Sequence, residues 1–509
     1  MAQPLFPVDR LPHMRFARGY IASSQSGRWV IALVFGSLLS PVSVSLAHAQ
    51  ILGQIEMRDS ATADDYLCWS PVQARIRLAT SQPADVSVTV KSVPLGPAGG
   101  QVQFMAATSA PITRATFTPV PELALTLPKD GGWVRFLVAG RRASRGSKDA
   151  LIRAELPNGA GAIVQLPVMV RVRKDAETLT TAERAAFLRA LAAWKTKPGL
   201  TRPTRFEDYY TAHDDAFSWG IHSNFGTQVS NFLPWHRAFL LNFERELQQI
   251  DPAVALPYWR FDVKAPGLFS AEFLGALVPG STEVRFSNTN PIRGWSRGQG
   301  EALRRANQFD QQGPVSPNNL LAIVCRANEA GCSPQNAVQN ELYRSVTDRV
   351  ELNYHNGAHA GVLGWLGAGT SPSDPLFFLL HANVDRGWAH WQESRTRFVS
   401  DGQNEGSYTP TGRYPGATIP QRVREGLYAL DPMWPWGPKS GDAGTPNDPR
   451  DDWLPYRFPF PSVPGMPFSA ADPPTPAKMI DYMNVGGVNP AHGACYDDFD
   501  FEGKDPRTN

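Results

Sequence analysis

The histidines of this 509-residue chain constrain its fold more than any other sequence feature. Seven of the ten lie within residues 180–392, and two of these, His355 and His359, are four residues apart. At 3.6 residues per turn, that spacing puts both imidazoles on one helix face, where they can share a metal ion. The pair alone is a weak signal, because solvated or hydrogen-bonded histidine pairs are common.

The other candidate ligands are His381, on an apolar helix predicted over residues 375–392, and an upstream group. The upstream group consists of His213, His222 and His236. Three plus three histidines in and beside bundle helices indicate two metal ions side by side. All-imidazole coordination favours copper or zinc, whereas di-iron and di-manganese bundles also use glutamates. No carboxylate base lies between His355 and His359, as a zinc hydrolase motif would require, so copper with dioxygen is the better prediction.

The part of the chain before these histidines has a different periodicity. Short runs of period two, broken by Pro and Gly, extend over about residues 72–172, as in antiparallel strands. They predict a small β-sandwich or β-barrel over residues 50–175. At Thr180 a capping box begins a helical pattern, so we expect the domain boundary near Asp175.

Helical stretches joined by long Pro/Gly-rich loops then continue to about residue 400, including one over residues 337–359. We predict a helical bundle with the metal site over residues 176–400. The segment 401–509 is rich in Pro, Gly and aromatic residues and is expected to pack on or cover the bundle. The predicted fold is multidomain: a mainly α-helical bundle with long loops, preceded by a small antiparallel β domain.

Residues 1–49 have the basic start, apolar run and small-residue cleavage pattern of a secretory signal peptide. An uncleaved membrane anchor is the alternative, although serines and a proline dilute the apolar run. We therefore expect a secreted or periplasmic protein that is not held in a membrane after cleavage. The formal net charge of +2 does not indicate nucleic acid as a partner.

Four cysteines are an even number in a chain predicted to be exported, which favours disulfide bonds. Cys325 and Cys332 enclose a short loop and are the favoured pair. Cys68 with Cys495 would then tie the two ends of the mature chain together. Buried free thiols are the alternative.

Two segments around the histidines resemble the copper signatures of the tyrosinase family of binuclear copper proteins. Residues 232–245 read FLPWHRAFLLNFER, and residues 371–388 read SPSDPLFFLLHANVDRGW. The resemblance covers about residues 180–392 and implies a bacterial exported member with two copper ions and O2 as co-substrate. It implies that His213, His222 and His236 bind one copper ion, and that His355, His359 and His381 bind the other.

The resemblance also implies oxidation of small phenols and catechols to ortho-quinones, including hydroxylation of monophenols. In the resembling enzymes a glutamate and an asparagine hold a water that takes the phenol proton. Asn356 matches the asparagine, and Glu351 is the best glutamate, with Glu341 as the alternative. Other possible functions are a catechol or o-aminophenol oxidase without monophenol activity, a haemocyanin-like oxygen carrier and a zinc-loaded hydrolase. The sequence predicts no oligomeric state.

Several residues beside the ligands carry narrower expectations. Leu380 stands where many bacterial relatives have a second histidine, so the hydrogen bonding around His381 should differ. Asp385 is expected either to accept a hydrogen bond near the site or to pair with Arg237 or Arg386, and Phe377 to pack against a ligand ring. The candidates for a tail side chain that occupies the substrate position are Phe458, Phe460, Met466 and Tyr482.

Overall fold

The structure of the protein, a computed structural model, describes most of the chain after residue 50. The described residues are 51–58, 65–159, 161–219, 231–298, 300–308, 342–413, 428–433, 435–436, 466–469, 472–487 and 491–508. The predictions that lie outside them concern the signal peptide, His222, Cys325, Cys332, Glu341, Phe458 and Phe460. Within the described part, no helix is both long enough and apolar enough to cross a membrane.

Nine strands before the helices form two sheets. They are β1 (Gly53–Met57), β2 (Tyr66–Leu67), β3 (Val72–Leu78), β4 (Val86–Pro94), β5 (Gln101–Ala106), β6 (Glu122–Leu127), β7 (Val134–Arg142), β8 (Ala150–Glu155) and β9 (Ala162–Val170). One sheet has the order β1-β3-β7-β5 and the other the order β2-β9-β8-β4-β6. Neighbouring strands are antiparallel except for β2 and β9.

The period-two pattern fixes which strand faces are buried. In β3, Ala74, Ile76 and Leu78 are buried, whereas Arg75 and Arg77 between them are partly exposed. Alternate side chains of a strand point to opposite faces, so each sheet has one apolar face. These apolar faces belong to the same hydrophobic core as the helices that follow.

The helices begin at Thr181, directly after the predicted capping box between Thr180 and Glu183, which is present. They are α1 (Thr181–Lys195), α2 (Arg205–Trp219), α3 (Phe232–Ile250), α4 (Tyr343–Arg349), α5 (Asn356–Val362), α6 (Leu376–Arg395) and α7 (Pro476–Ile480). Short strand pairs lie between α3 and α4: Ala276–Leu277 with Val284–Arg285, and Ser296–Arg297 with Glu301–Ala302. The described residues thus contain both helices and sheets. The predicted fold, a mainly α-helical bundle preceded by a small antiparallel β domain, is confirmed in part.

Helices α3 and α6 form the centre of the bundle, and both are buried over most of their length. The rings of Phe243 and Phe378 stack between them with centroids 3.7 Å apart. On α1, the Trp194 ring packs edge-on against Phe243 and Phe378. The aromatic core therefore fixes the two helices that carry the predicted copper signatures.

The helix predicted over residues 337–359 is not regular where the structure describes it. A π-helical turn, Val350–His355, separates α4 from α5. Its backbone bond runs from Asn356 N–H to the Glu351 carbonyl, which spans five residues instead of four. The assumption that Glu351 and His355 share one regular α-helix was therefore wrong.

A buried ion network joins the end of the β region to the bundle and the C-terminal segment. Arg173 bonds to Glu244 on α3 at 2.8 Å and to Asp385 on α6 at 3.1 Å. Asp385 also pairs with Arg237 and accepts a hydrogen bond from the hydroxyl of Tyr496. These charges are at least 96% buried, so each needs its partners.

The C-terminal segment is also joined to the strands by a covalent bond. The predicted disulfide between Cys68 and Cys495 is present. Residues Gln50–Asn509 form one compact unit, and the residue boundaries predicted for separate domains stay predictions.

Candidate metal centre

Five of the six candidate histidines are described, and the fold brings all five together. Their ring nitrogens form two groups of three, each within 4.8 Å of one another: His213, His236 and His381, and His355, His359 and His381. Separate elements supply them: α2, α3, the π-helical turn, α5 and α6. Four of the five are buried, and His359 is half-buried.

The close contact between His213 and His236 joins ring nitrogens that have no proton to share. His213 Nε2 lies 3.3 Å from His236 Nε2, although both rings have Nδ1 against a backbone carbonyl. In neutral rings, Nδ1 then donates and both Nε2 atoms are acceptors, so this contact is not a hydrogen bond. Bonds of about 2.0 Å to one ion, at near-tetrahedral angles, place two nitrogens about 3.3 Å apart. The pair therefore has the geometry of two ligands on one metal ion.

A second pair has the same separation. His355 Nε2 lies 3.3 Å from His381 Nε2. The first pair belongs to the upstream group of predicted ligands, and the second pair belongs to the downstream group. The donor set is imidazole only, which fits copper.

Hydrogen bonds at Nδ1 orient most of these rings. The four pairs are His213 with Gly369 O (2.6 Å), His236 with Phe232 O (2.8 Å), His355 with Asn356 Oδ1 (2.9 Å) and His359 with Leu366 O. Such bonds fix the tautomer and direct Nε2 at the metal. Three of the acceptors are backbone carbonyls, for which the sequence contains no signal.

His381 is held differently. Its Nδ1 is buried, and no hydrogen-bond partner for it lies in the described residues. Its ring stacks on His236 at 4.1 Å and packs against Phe377 at 4.2 Å. Burial, together with the neighbouring His236 and His355 rings, lowers the pKa of His381 well below its ordinary value. The ring therefore stays neutral, which is the form that binds metal.

A strained turn supplies the carbonyl that orients His359. Leu363 ends α5 with φ of 54° and ψ of −153°, a combination that costs energy for a residue with a side chain. Gly364 follows with φ of 65°, and a Cβ there would lie 2.3 Å from the Arg304 carbonyl oxygen. Only glycine fits, and the turn brings the Leu366 carbonyl back to the ring of His359.

The two residues predicted to hold a water lie beside the second group. Asn356 is half-buried, and its Oδ1 accepts from His355 Nδ1. Glu351 is fully buried in the π-helical turn. Ala360, after His359, is exposed and adds little bulk there. The catalytic role of Glu351 and Asn356 stays a prediction.

Two aromatic rings pack against the histidines. Phe377 was expected to do so, whereas the sequence did not indicate this for Phe232. The Phe377 ring contacts His213 as well as His381. The Phe232 ring packs against His236 at 4.6 Å and His355 at 4.8 Å. Each phenylalanine thus touches members of both pairs, so the walls of the centre are apolar.

Other polar residues near the ligands have structural partners. Asp385 takes the ion-pair alternative, with Arg237 and Arg173. His390, for which no role was predicted, lies 2.6 Å from Asp498.

The tail reaches the bundle next to the ligands. Tyr482 packs on the guanidinium of Arg237 at 4.6 Å, and Met466 is half-buried. Trp436, which the sequence did not single out, packs on Trp235 at 5.8 Å, and Trp235 lies 5.0 Å from the His236 ring.

The part of the chain that carries these histidines is similar in sequence to known proteins. Residues 203–394 match the family model described as the common central domain of tyrosinase. The tyrosinase of Streptomyces glaucescens is 32% identical over 235 residues, which cover 43% of this chain and 82% of that protein. The tyrosinase of Streptomyces antibioticus is 34% identical over 242 residues, with the same two coverages. Among solved structures, a polyphenol oxidase of Thermothelomyces thermophila is 20% identical with a TM-score of 0.35, covering 48% of this chain and 80% of that one.

Proposed function

The chain belongs to the tyrosinase family of oxidoreductases, and from this premise we propose that it oxidises small phenols and catechols to ortho-quinones with O2. The proposal includes hydroxylation of monophenols. Its main support is the pair of Nε2–Nε2 contacts at 3.3 Å, which gives each half of the centre two imidazoles at ligand spacing. Family membership implies a pair of copper ions, and the imidazole donors suit them.

We assign the upstream copper ion to His213, His222 and His236, and the downstream ion to His355, His359 and His381. When bound, the copper pair supplies the electrons and the Lewis acidity that O2 and phenol chemistry require. Burial keeps the His381 imidazole neutral, and Nδ1 bonds direct the other four described rings. The Phe232 and Phe377 rings keep the space around them apolar.

A base is needed because a phenol has a pKa of about 10 and is protonated at neutral pH. Asn356 uses Oδ1 to accept from His355, so its Nδ2 remains the group that can donate to a water. The buried Glu351 carboxylate is the acceptor that we propose for the proton, passed through this water.

Two other functions use the same centre: a catechol or o-aminophenol oxidase without monophenol activity, and a haemocyanin-like oxygen carrier. Copper-loaded protein should contain two copper ions per chain and form quinone from both 4-hydroxybenzoate and catechol in a colorimetric assay. If quinone forms from catechol alone, the protein is a catechol oxidase without monophenol activity. If quinone forms from neither substrate, the oxygen-carrier function is favoured. A zinc content in place of copper would contradict all three.

We also propose export, with secretion or a periplasmic location. The pattern of residues 1–49 supports it, as does the Cys68–Cys495 disulfide, since disulfides persist in oxidising compartments. Mature protein isolated from its host should begin at Gln50, which N-terminal sequencing would check.

A further inference from the structure

A hydrogen bond between side chains joins the two segments that carry His355 and His381. Asn383 Nδ2 donates to the hydroxyl oxygen of Tyr354 at 2.9 Å, and both residues are buried. Tyr354 directly precedes His355, and Asn383 follows His381 by two residues. The bond therefore ties together the two backbones next to the imidazoles whose Nε2 atoms are 3.3 Å apart.

Tyr354 belongs to the π-helical turn Val350–His355. Such turns are rare, and they often occur at functional sites. Here the turn buries Glu351, Tyr354 and His355, while Leu352 between them remains exposed. A wide turn has poorer backbone hydrogen bonding than an α-helix, so contacts from outside must hold its shape.

One such contact is made by the Tyr354 ring, which packs on Phe261 with centroids 4.3 Å apart. The other is the bond from Asn383, which is itself held from the C-terminal segment. Asn383 Oδ1 accepts from Arg386 at 3.2 Å, and Arg386 is ion-paired with the buried Asp498 at 2.5 Å. Asn383 thus cannot rotate away from Tyr354 without losing the bond to Arg386.

We propose that Tyr354 and Asn383 are positioning residues of the copper centre. They hold the π-helical turn against α6, so that His355 keeps its place beside His381 and Glu351 keeps its place near the downstream copper ion. The inference rests on the proposed function. A catechol has two adjacent hydroxyls to orient it, whereas a monophenol has one, so hydroxylation should be the more sensitive to a displaced turn.

The Tyr354→Phe variant tests this, because it keeps the ring on Phe261 and removes only the hydroxyl. Tyr343→Phe is the matched control: Tyr343 is also buried, lies seven residues before the turn begins and packs on Trp388 and Tyr408. In Tyr354→Phe we expect kcat for a monophenol to fall about tenfold, with kcat for catechol within about twofold of wild type. The Tyr343→Phe control should keep kcat for both substrates near that of wild type.

Two substitutions of Asn383 test the same hydrogen bond, because one can keep it and the other cannot. In Asn383→Asp the carboxylate can accept from both Tyr354 and Arg386, so the monophenol-to-catechol ratio should stay near that of wild type. Asn383→Leu should lower the ratio as Tyr354→Phe does. If Asn383→Asp and Asn383→Leu behaved alike, the hydrogen bond would not be the cause.

Copper retention is the readout that does not depend on turnover. After dialysis against a chelator, Tyr354→Phe and Asn383→Leu should keep less copper per chain than wild type, the Tyr343→Phe control and Asn383→Asp. Tyr354→Phe values equal to those of the control in both copper content and kcat ratio would overturn the inference. A wild-type protein with two copper ions that oxidises no phenol would instead contradict the proposed function, and the copper comparison would still test the positioning.

Discussion

The two nitrogens of each candidate ligand ring have separate tasks. In four rings Nδ1 bonds to an oxygen of the protein, which leaves Nε2 for the metal. In His381 packing between His236 and Phe377 replaces that bond. We therefore expect the ring of His381 to depend on its aromatic neighbours more than the others do.

The ligand assignment predicts the effect of removing one imidazole. His236→Ala or His381→Ala should abolish oxidase activity and lower copper content, because two remaining ligands leave an open site that retains its ion poorly. Activity on catechol and copper per chain are the measurements. His390→Ala is the control, since His390 bonds to Asp498 and not to the centre. Wild-type turnover in either ligand variant would contradict the assignment.

Asn356 has two proposed roles, and two substitutions separate them. Asn356→Leu removes both the acceptor for His355 Nδ1 and the donor for the water, whereas Asn356→Asp keeps the acceptor. We expect Asn356→Leu to lose monophenol activity selectively while it still oxidises catechol. Steady-state kcat on both substrates, with copper content, checks this. Full monophenol activity of Asn356→Leu with both copper ions bound would show that the water proposal is wrong.

The sequence predicts which residues are the candidate ligands better than it predicts what surrounds them. The five described histidines could be named because seven of the ten histidines cluster in residues 180–392, within and beside segments that resemble known copper signatures. The carbonyls of Gly369 and Leu366 could not be named, because every residue has a carbonyl and only the folded chain brings one to a ring. His222 stays a prediction.

Among the elements, α3 and α6 depend on a buried charge network as well as on aromatic packing. Asp385 on α6 is 4% exposed and neutralises Arg237 and Arg173, each 1% exposed. Removing the carboxylate leaves two buried guanidinium groups with less negative charge around them. A buried pair that loses one partner is strongly destabilised.

Asp385→Ala should therefore lower the free energy of unfolding by about 3–5 kcal/mol. Asp472→Ala is the control, because Asp472 is 73% exposed in its pair with Lys478 and should change stability by less than about 0.5 kcal/mol. Denaturant unfolding of the copper-free proteins measures both. Equal stabilities of the two variants would mean that the remaining partners, Glu244 for Arg173 and Gln392 for Arg237, make up for the lost carboxylate.

The elements were predictable where a local signal fixes them. The capping box at Thr180 places the start of α1, and alternation in β3 places its buried face. The π-helical turn was not predictable, because one inserted residue shifts the helical phase by about 100°, and the segments around it are too short for hydrophobic periodicity to reveal that shift. Its shape depends on Phe261 and Asn383, which are far away in the sequence.

Across the whole molecule, the C-terminal segment is part of the bundle and not only a cover. Tyr496 donates to Asp385, Asp498 pairs with Arg386, and Cys495 is bonded to Cys68. The composition of residues 401–509 predicted packing on the bundle but could not show that buried charges of α6 would need these partners. A latent enzyme, in which Phe458 or Phe460 covers the substrate position, remains a hypothesis about residues outside the described part.

A protease site introduced between Arg450 and Asp451 would show whether the C-terminal segment covers the substrate position, supports the bundle, or does both. After cleavage, we expect the C-terminal fragment to stay attached, because the Cys68–Cys495 disulfide and the Asp385 and Arg386 contacts each join a residue before the cut to one after it. Non-reducing electrophoresis should therefore show one species and reducing electrophoresis two, with little change in unfolding temperature. If the segment around Phe458 covers the centre, catechol oxidation should rise several-fold on cleavage, because the new chain ends let that segment move while the bundle stays intact. Uncut protein carrying the inserted site is the control for the insertion itself. Unchanged activity in a cleaved, fully folded, copper-loaded enzyme would rule out the cover, and release of the fragment without reductant would contradict the supporting role.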